Sequence, residues 1–175
     1  MESEALTMLP NKVVFLFDVD NTLLDNDNVV SDLMHYLERE IGYDRQQRYW
    51  AFFEQLRIEL GYADYLGALQ RYRIEYPRDT RILAVSHYLI DYPFANRLFS
   101  NSLEVIKHTR RFGEPVLVSD GDVVFQPLKI RRSGLMDSFD SRVLIYIHKE
   151  IDAGILLLER ITLALLRRKL PVLRL

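Results

Sequence analysis

Asp18-Val19-Asp20-Asn21-Thr22 is the stretch of this 175-residue chain whose residue types and spacing point to chemistry. Two carboxylates two positions apart in a loop can converge on one cation and one reacting centre, so that one attacks while the other moves a proton. The string also opens like a calcium loop, which needs glycine at its sixth position and a carboxylate at its twelfth. Counted from Asp18, those positions hold Leu23 and Val29, so the calcium reading fails. Further along, Val118-Ser119-Asp120-Gly121 offers a hydroxyl, and Lys149 and Lys129 offer cations. His35, His87, His108 and His148 show no paired metal-ligand spacing, and only His148, beside Lys149, is expected near a site.

Three short apolar runs must position these groups. Lys12–Phe17 stops at Asp18, Pro115–Val118 stops at Ser119, and Val143–Ile147 stops at His148-Lys149. Unbroken runs of this length predict strands buried on both faces of a parallel sheet, with every chemical group beyond a strand's carboxyl end, where open α/β sheets bind ligands. Between the first two runs the spacing is helical. Val29, Val30, Leu33, Met34, Leu37 and Ile41 share a face that Gly42 closes, and breaks at Gly61, Pro77 and Pro93 predict several short helices. Asn101 with Glu104 predicts a capping box opening a helix that Gly113 and Pro115 close. Asp122 is expected to cap a helix from about Val123 to Arg132, with Gly134 at its end. The order predicts a doubly wound α/β core, residues 1–24 and 96–175, with helical residues 25–95 inserted after the first strand. Nine of the ten tyrosines fall between Tyr36 and Tyr92, so the insertion differs in composition from the core. Aromatic packing is the simpler expectation for them, and a wall touching substrate the other.

Composition narrows the function. With 23 Lys+Arg against 25 Asp+Glu, the near-balanced charge gives no reason to expect nucleic acid as a partner. No cysteine is present, which excludes disulfides, thiolate metal sites and a cysteine nucleophile, and leaves oxygen or imidazole to hold any metal. No apolar run approaches the ~20 residues of a membrane span, and the acidic Met1-Glu2-Ser3-Glu4 start is unlike a signal peptide. A cytoplasmic protein without a membrane partner is expected.

Asp18-Val19-Asp20-Asn21-Thr22-Leu23-Leu24 after an apolar strand resembles the first motif of the haloacid dehalogenase superfamily of hydrolases. The resemblance implies an α/β fold with a small helical cap, Asp18 as nucleophile, Asp20 as general acid and base, and Thr22 orienting the loop. It also implies Mg²⁺ held by the Asp18 carboxylate and the Asp20 carbonyl. An aspartate at position 20 is the phosphatase pattern, whereas the superfamily's dehalogenases and phosphonatases generally lack it. Ser119 fits the second motif, a hydroxyl donor to the phosphoryl group. For the third motif, a charge-neutralising lysine, Lys149 directly follows a strand and is favoured over Lys129, which sits inside the helix after Ser119. Lys129 to Asp140, with Gly134-Leu135 and Phe139-Asp140, is similar to the connection that puts the later strand in register with Lys149; Glu150 stands where many members have proline. Arg131 and Arg132 read most simply as solvated helix charges. The implied partner is a small phosphorylated metabolite, because a cap in this position closes over small substrates.

The fourth motif, one or two aspartates completing the metal ligands, has no counterpart. Residues 160–175 contain no acidic residue, five basic ones and six leucines. Either this is a helix and short strand, or it is the product of a truncated or frame-altered reading; its composition favours the second. Asp120, Asp122, Glu150 or Asp152 are substitute ligands, and the alternative function is a catalytically silent binding protein of the same fold. An open sheet edge and an apolar tail also favour an oligomer.

Overall fold

The computed structural model describes residues 13–148. Lys149, Glu150, Asp152 and the acid-free tail 160–175 therefore lie outside the described residues. The chain runs β1 (Val14–Phe17), α1 (Asn26–Ile41), α2 (Tyr43–Leu60), α3 (Tyr65–Glu75), α4 (Ile82–Asp91), a short 3₁₀ turn (Phe94–Arg97), α5 (Ser102–Thr109), β2 (Glu114–Asp120), α6 (Phe125–Arg132), α7 (Leu135–Ser138) and β3 (Val143–Tyr146).

The strands form a parallel sheet in the order β1-β2-β3, with Phe17 beside Leu117 and Leu117 beside Val143. That register brings Asp18, Ser119 and the end of β3 to the same sheet edge. Gly113 permits the tight entry into β2: a Cβ there would lie 2.3 Å from the Val13 carbonyl oxygen, which instead accepts from Glu114 N–H at 2.8 Å.

Burial on both faces, expected of all three strands, holds mainly for β2. In β1, Val14 is 42% and Leu16 49% exposed, because β1 is the end strand of the described sheet and hydrogen-bonds only to β2 there. The capping box also fails. Asn101 sits at φ 66° and makes no side-chain cap bond; the Ser102 hydroxyl instead donates to the Leu23 carbonyl at 2.9 Å, tying α5 to the loop after β1.

Helices α1 to α4 lie between β1 and β2 and share one core with the sheet. Helix α1 buries Val29, Leu33, Leu37 and Ile41, one per turn, and stops at Gly42. Tyr49, Tyr65 and Tyr72 are buried and Tyr36 stacks on Tyr88 at 3.8 Å, so most of the tyrosine excess is core packing. The chain leaves and re-enters the sheet layer through paired segments: Leu24 bridges Leu98, and Asp25 N–H donates to the Arg97 carbonyl at 2.7 Å. Between the layers, Phe125 of α6 packs on Tyr65 at 4.8 Å and on Phe94 at 5.5 Å. Arg132, expected as a solvated charge, reaches Asp91 of α4 at 2.8 Å.

Candidate active site

The loop after β1 alternates anchors with chemistry. Val19, Leu23 and Leu24 are buried, which fixes the loop and leaves Asp18 and Asp20 half-buried at the sheet edge. The Val19 carbonyl accepts from Thr22, Leu23 and Leu24 N–H at 3.3, 3.0 and 3.0 Å, and Asn21 N–H donates to the Leu24 carbonyl at 2.7 Å. Thr22 is exposed and contributes that backbone bond. Much of the orienting expected of Thr22 falls to Asn21. At φ 55° it occupies the left-handed region that asparagine tolerates, and its Oδ1 accepts from Asn26 and Asp27 N–H at 2.9 and 3.2 Å. Asp25 Oδ1 accepts from Asn28 N–H at 3.0 Å, so the start of α1 is capped twice and locked to the loop.

Around Asp20 the structure assembles a buried polar network. Lys129 Nζ donates to Asp20 Oδ1 at 2.7 Å and to Asn26 Oδ1 at 3.0 Å. Gln126 Nε2 donates to Ser119 Oγ at 2.6 Å and lies 3.3 Å from Asp20 Oδ2. Lys129, Gln126 and Ser119 are 1%, 3% and 1% exposed. A lysine is rarely buried without a partner, since an unpaired ammonium in low dielectric costs several kcal/mol. Here a carboxylate and an amide oxygen accept its protons. Lys129, the less favoured of the two lysines, is thus the cation at Asp20, and Lys149 lies outside the described residues.

Gln126, Asn26 and Asn21 escape the sequence reading. For Gln126 and Lys129 a signal exists: α6 buries Phe125, Gln126, Lys129 and Ile130, so two polar residues occupy the helix's inward stripe, where an ordinary surface helix would be apolar.

Beside Ser119 the chain turns at Gly121, φ 145°, and Asp122 Oδ1 accepts from Val124 and Phe125 N–H at 2.9 and 2.7 Å to start α6. Burial pushes the Asp122 carboxyl up, opposed by those two N–H groups and reinforced by Asp64. Burial also pushes the Tyr65 hydroxyl well up, with a hydrogen bond to Asn26 pulling the other way. Gly121 and Asp122 line a cleft of about 660 Å³ whose other walls are Tyr62, Asp64 and Leu66 from the helical layer and Ile145 from β3. His148 does lie at this edge, its ring 6.3 Å from that of Tyr62.

Asp18 and Asp20 supply only oxygen donors. Such a pair suits Mg²⁺, which takes one or two carboxylates and leaves its other positions to water and phosphate oxygens. Among the described residues no three His, Asp or Glu side chains converge to hold a metal by themselves, and Asp122 spends an oxygen on α6. The arrangement can therefore present a carboxylate nucleophile, a second carboxylate for proton transfer and a hydroxyl donor to one oxygen-rich group.

A model of the haloacid dehalogenase-like hydrolases matches residues 13–160. The chain is 59% identical to a protein of Burkholderia xenovorans LB400 assigned as a haloacid dehalogenase-like hydrolase, over 84% of this chain and 68% of that one, with a TM-score of 0.78. A haloacid dehalogenase-like family hydrolase from Xanthomonas campestris shares the fold at 21% identity, over 85% and 69% of the two chains, with a TM-score of 0.61. No curated protein matches significantly. Among the described residues no helix is long and apolar enough to cross a membrane.

Proposed function

The chain belongs to the haloacid dehalogenase-like hydrolases, and from that premise we propose that it hydrolyses a small phosphate monoester through an aspartyl-phosphate on Asp18. The observation that carries this reading is Asp20, two residues past Asp18 and held beside Ser119 by Lys129 and Gln126. A second carboxylate there gives a proton donor for an alkoxide leaving group, which halide displacement does not require.

In the proposed reaction an Asp18 oxygen attacks phosphorus in line, the ester P–O bond breaks, and Asp20 gives its proton to the departing oxygen. Asp20 then takes a proton from the water that attacks the same phosphorus, and phosphate leaves with Asp18 restored as a carboxylate. The Ser119 hydroxyl donates to a phosphoryl oxygen as charge builds there. Lys149 is assigned the neutralising role by resemblance. The Asp18 carboxylate and Asp20 carbonyl would hold Mg²⁺, which when bound offsets the phosphate charge facing the nucleophile. The lack of cysteine suits a reducing cytoplasm.

Hydrolysis of an aryl phosphate with and without Mg²⁺, by the chain and by Asp18→Asn, tests the reading. Mg²⁺-dependent release of phosphate that disappears in Asp18→Asn is expected. Release that persists in Asp18→Asn would overturn the nucleophile, and silence across a panel of phosphate esters would replace the enzyme by a binding protein of the same fold.

A further inference from the structure

The hydroxyl of Ser119 can rotate, so its usefulness depends on where its proton points. A serine oxygen has one proton to give and lone pairs to receive with. Gln126 Nε2, at 2.6 Å, is a donor, so Ser119 Oγ accepts in that contact and its own proton is left for another acceptor. The alternative amide orientation would turn the contact round, with Ser119 donating to Gln126 Oε1. Asp20 in its carboxylate form, paired with Lys129, forbids it: the Gln126 amide end that faces Ser119 also lies 3.3 Å from Asp20 Oδ2, and an amide oxygen there would meet a carboxylate oxygen, two acceptors without a proton between them. Lys129, on the other oxygen of the same carboxylate at 2.7 Å, fixes Asp20 in turn.

We infer that Gln126 is a positioning residue, whose amide, oriented by Asp20, occupies Ser119 Oγ as a donor and reserves the serine proton for a phosphoryl oxygen. The inference rests on the phosphatase reading of Ser119. Its sequence counterpart is Gly121. A Cβ at that position would come within 3.0, 3.2 and 3.3 Å of Gln126 Cβ, Cγ and Cδ, so a side chain there would displace the one that sets the serine. The Gln126 side chain is enclosed, which keeps water from supplying the same bond.

Orthovanadate, a mimic of the transferring phosphoryl group, provides a test that does not depend on turnover. Its affinity is measured by calorimetry in Mg²⁺ for the unsubstituted chain, Gln126→Met, Ser119→Ala and the double variant, with thermal melts to confirm folding. The expected result is a fivefold or greater weakening by Gln126→Met that falls below twofold when Ser119 is already alanine, since a residue acting through Ser119 has nothing to act on there. Should Gln126→Met not fold, Gln126→Asn, whose amide stops one methylene short of Oγ, carries the same cycle. Equal weakening in both backgrounds, or none in either, would overturn the positioning role and leave the phosphoryl site standing. No vanadate binding by the unsubstituted chain would overturn the phosphoryl site and the inference with it.

Discussion

Replacing Lys129 by methionine separates a cation kept for the site from one kept for the fold. The Lys129 side chain is 2% exposed and that of Asp20 35%. Replacing both members of a buried ion pair by apolar residues of similar volume leaves stability near neutral, whereas removing one and stranding a fully buried partner costs about 3–5 kcal/mol. Asp20 is not stranded to that degree, because part of it reaches solvent and Gln126 still lies 3.3 Å from Oδ2. Asn26 Oδ1 loses a donor at 3.0 Å, a loss of about 1 kcal/mol. Together these give an expected destabilisation of about 1–2 kcal/mol in urea unfolding followed by Trp50 fluorescence. Hydrolysis of an aryl phosphate should fall further, about 10²-fold, because the proton-transfer carboxylate loses the group that aims it. A stability loss above about 3 kcal/mol with hydrolysis per folded molecule unchanged would refute this reasoning and make Lys129 a structural residue.

Three further outcomes follow from the same structure. Asp20→Asn keeps shape and removes the transferable proton, so kcat should fall about 10²–10⁴-fold with vanadate affinity changed far less; equal losses in both would refute the proton-transfer role. Phe94, fully buried between Tyr92 and Phe125, should cost about 3–5 kcal/mol as alanine in urea unfolding, and a cost under about 1 kcal/mol would show that the layers do not depend on this contact. Asp79 accepts from Arg81, Tyr72 and Arg45, and the Arg81 hydrogen bond above all holds its carboxyl well below the ordinary 3.8. The folded state therefore releases that proton more readily than the unfolded one, so its contribution is present above pH 3.8 and drains away as pH falls further. Urea midpoints titrated downward in pH should drop less in Asp79→Asn than in the unsubstituted chain, and parallel curves would refute the linkage.

What the sequence made legible is what repeats along a chain or is packed into one short segment. The three strands, the Gly42 and Gly61 helix stops, and the Asp18–Leu24 loop belong to this class, because apolar runs, glycines and paired aspartates act within a few residues. Burial of β1 departs from the expectation for a different reason: an apolar run records what a strand can bury, while exposure at Val14 and Leu16 depends on its neighbours. The capping box failed because Asn101 takes a left-handed conformation and Ser102 finds the carbonyl of Leu23, far away in sequence. The partner of Asp20 was hidden in the same way. Lys129 lies 109 positions from Asp20 and 103 from Asn26, and only the fold lets its ammonium donate to both the Asp20 carboxylate and the Asn26 amide oxygen. Lys149, which directly follows a strand, lies outside the described residues, whereas Lys129 reaches Asp20 from the inward stripe of a helix, a placement that position along the chain does not reveal.

The most direct test is to catch the covalent intermediate. The chain is mixed with an aryl phosphate and Mg²⁺, quenched in acid during turnover, digested and examined by mass spectrometry. A peptide spanning Asp18 should carry one phosphoryl group on that residue, absent in Asp18→Asn and accumulating in Asp20→Asn, where the water that would release it lacks a base. Turnover during which the Asp18 peptide stays unmodified, in the unsubstituted chain and in Asp20→Asn alike, would contradict nucleophilic catalysis by Asp18.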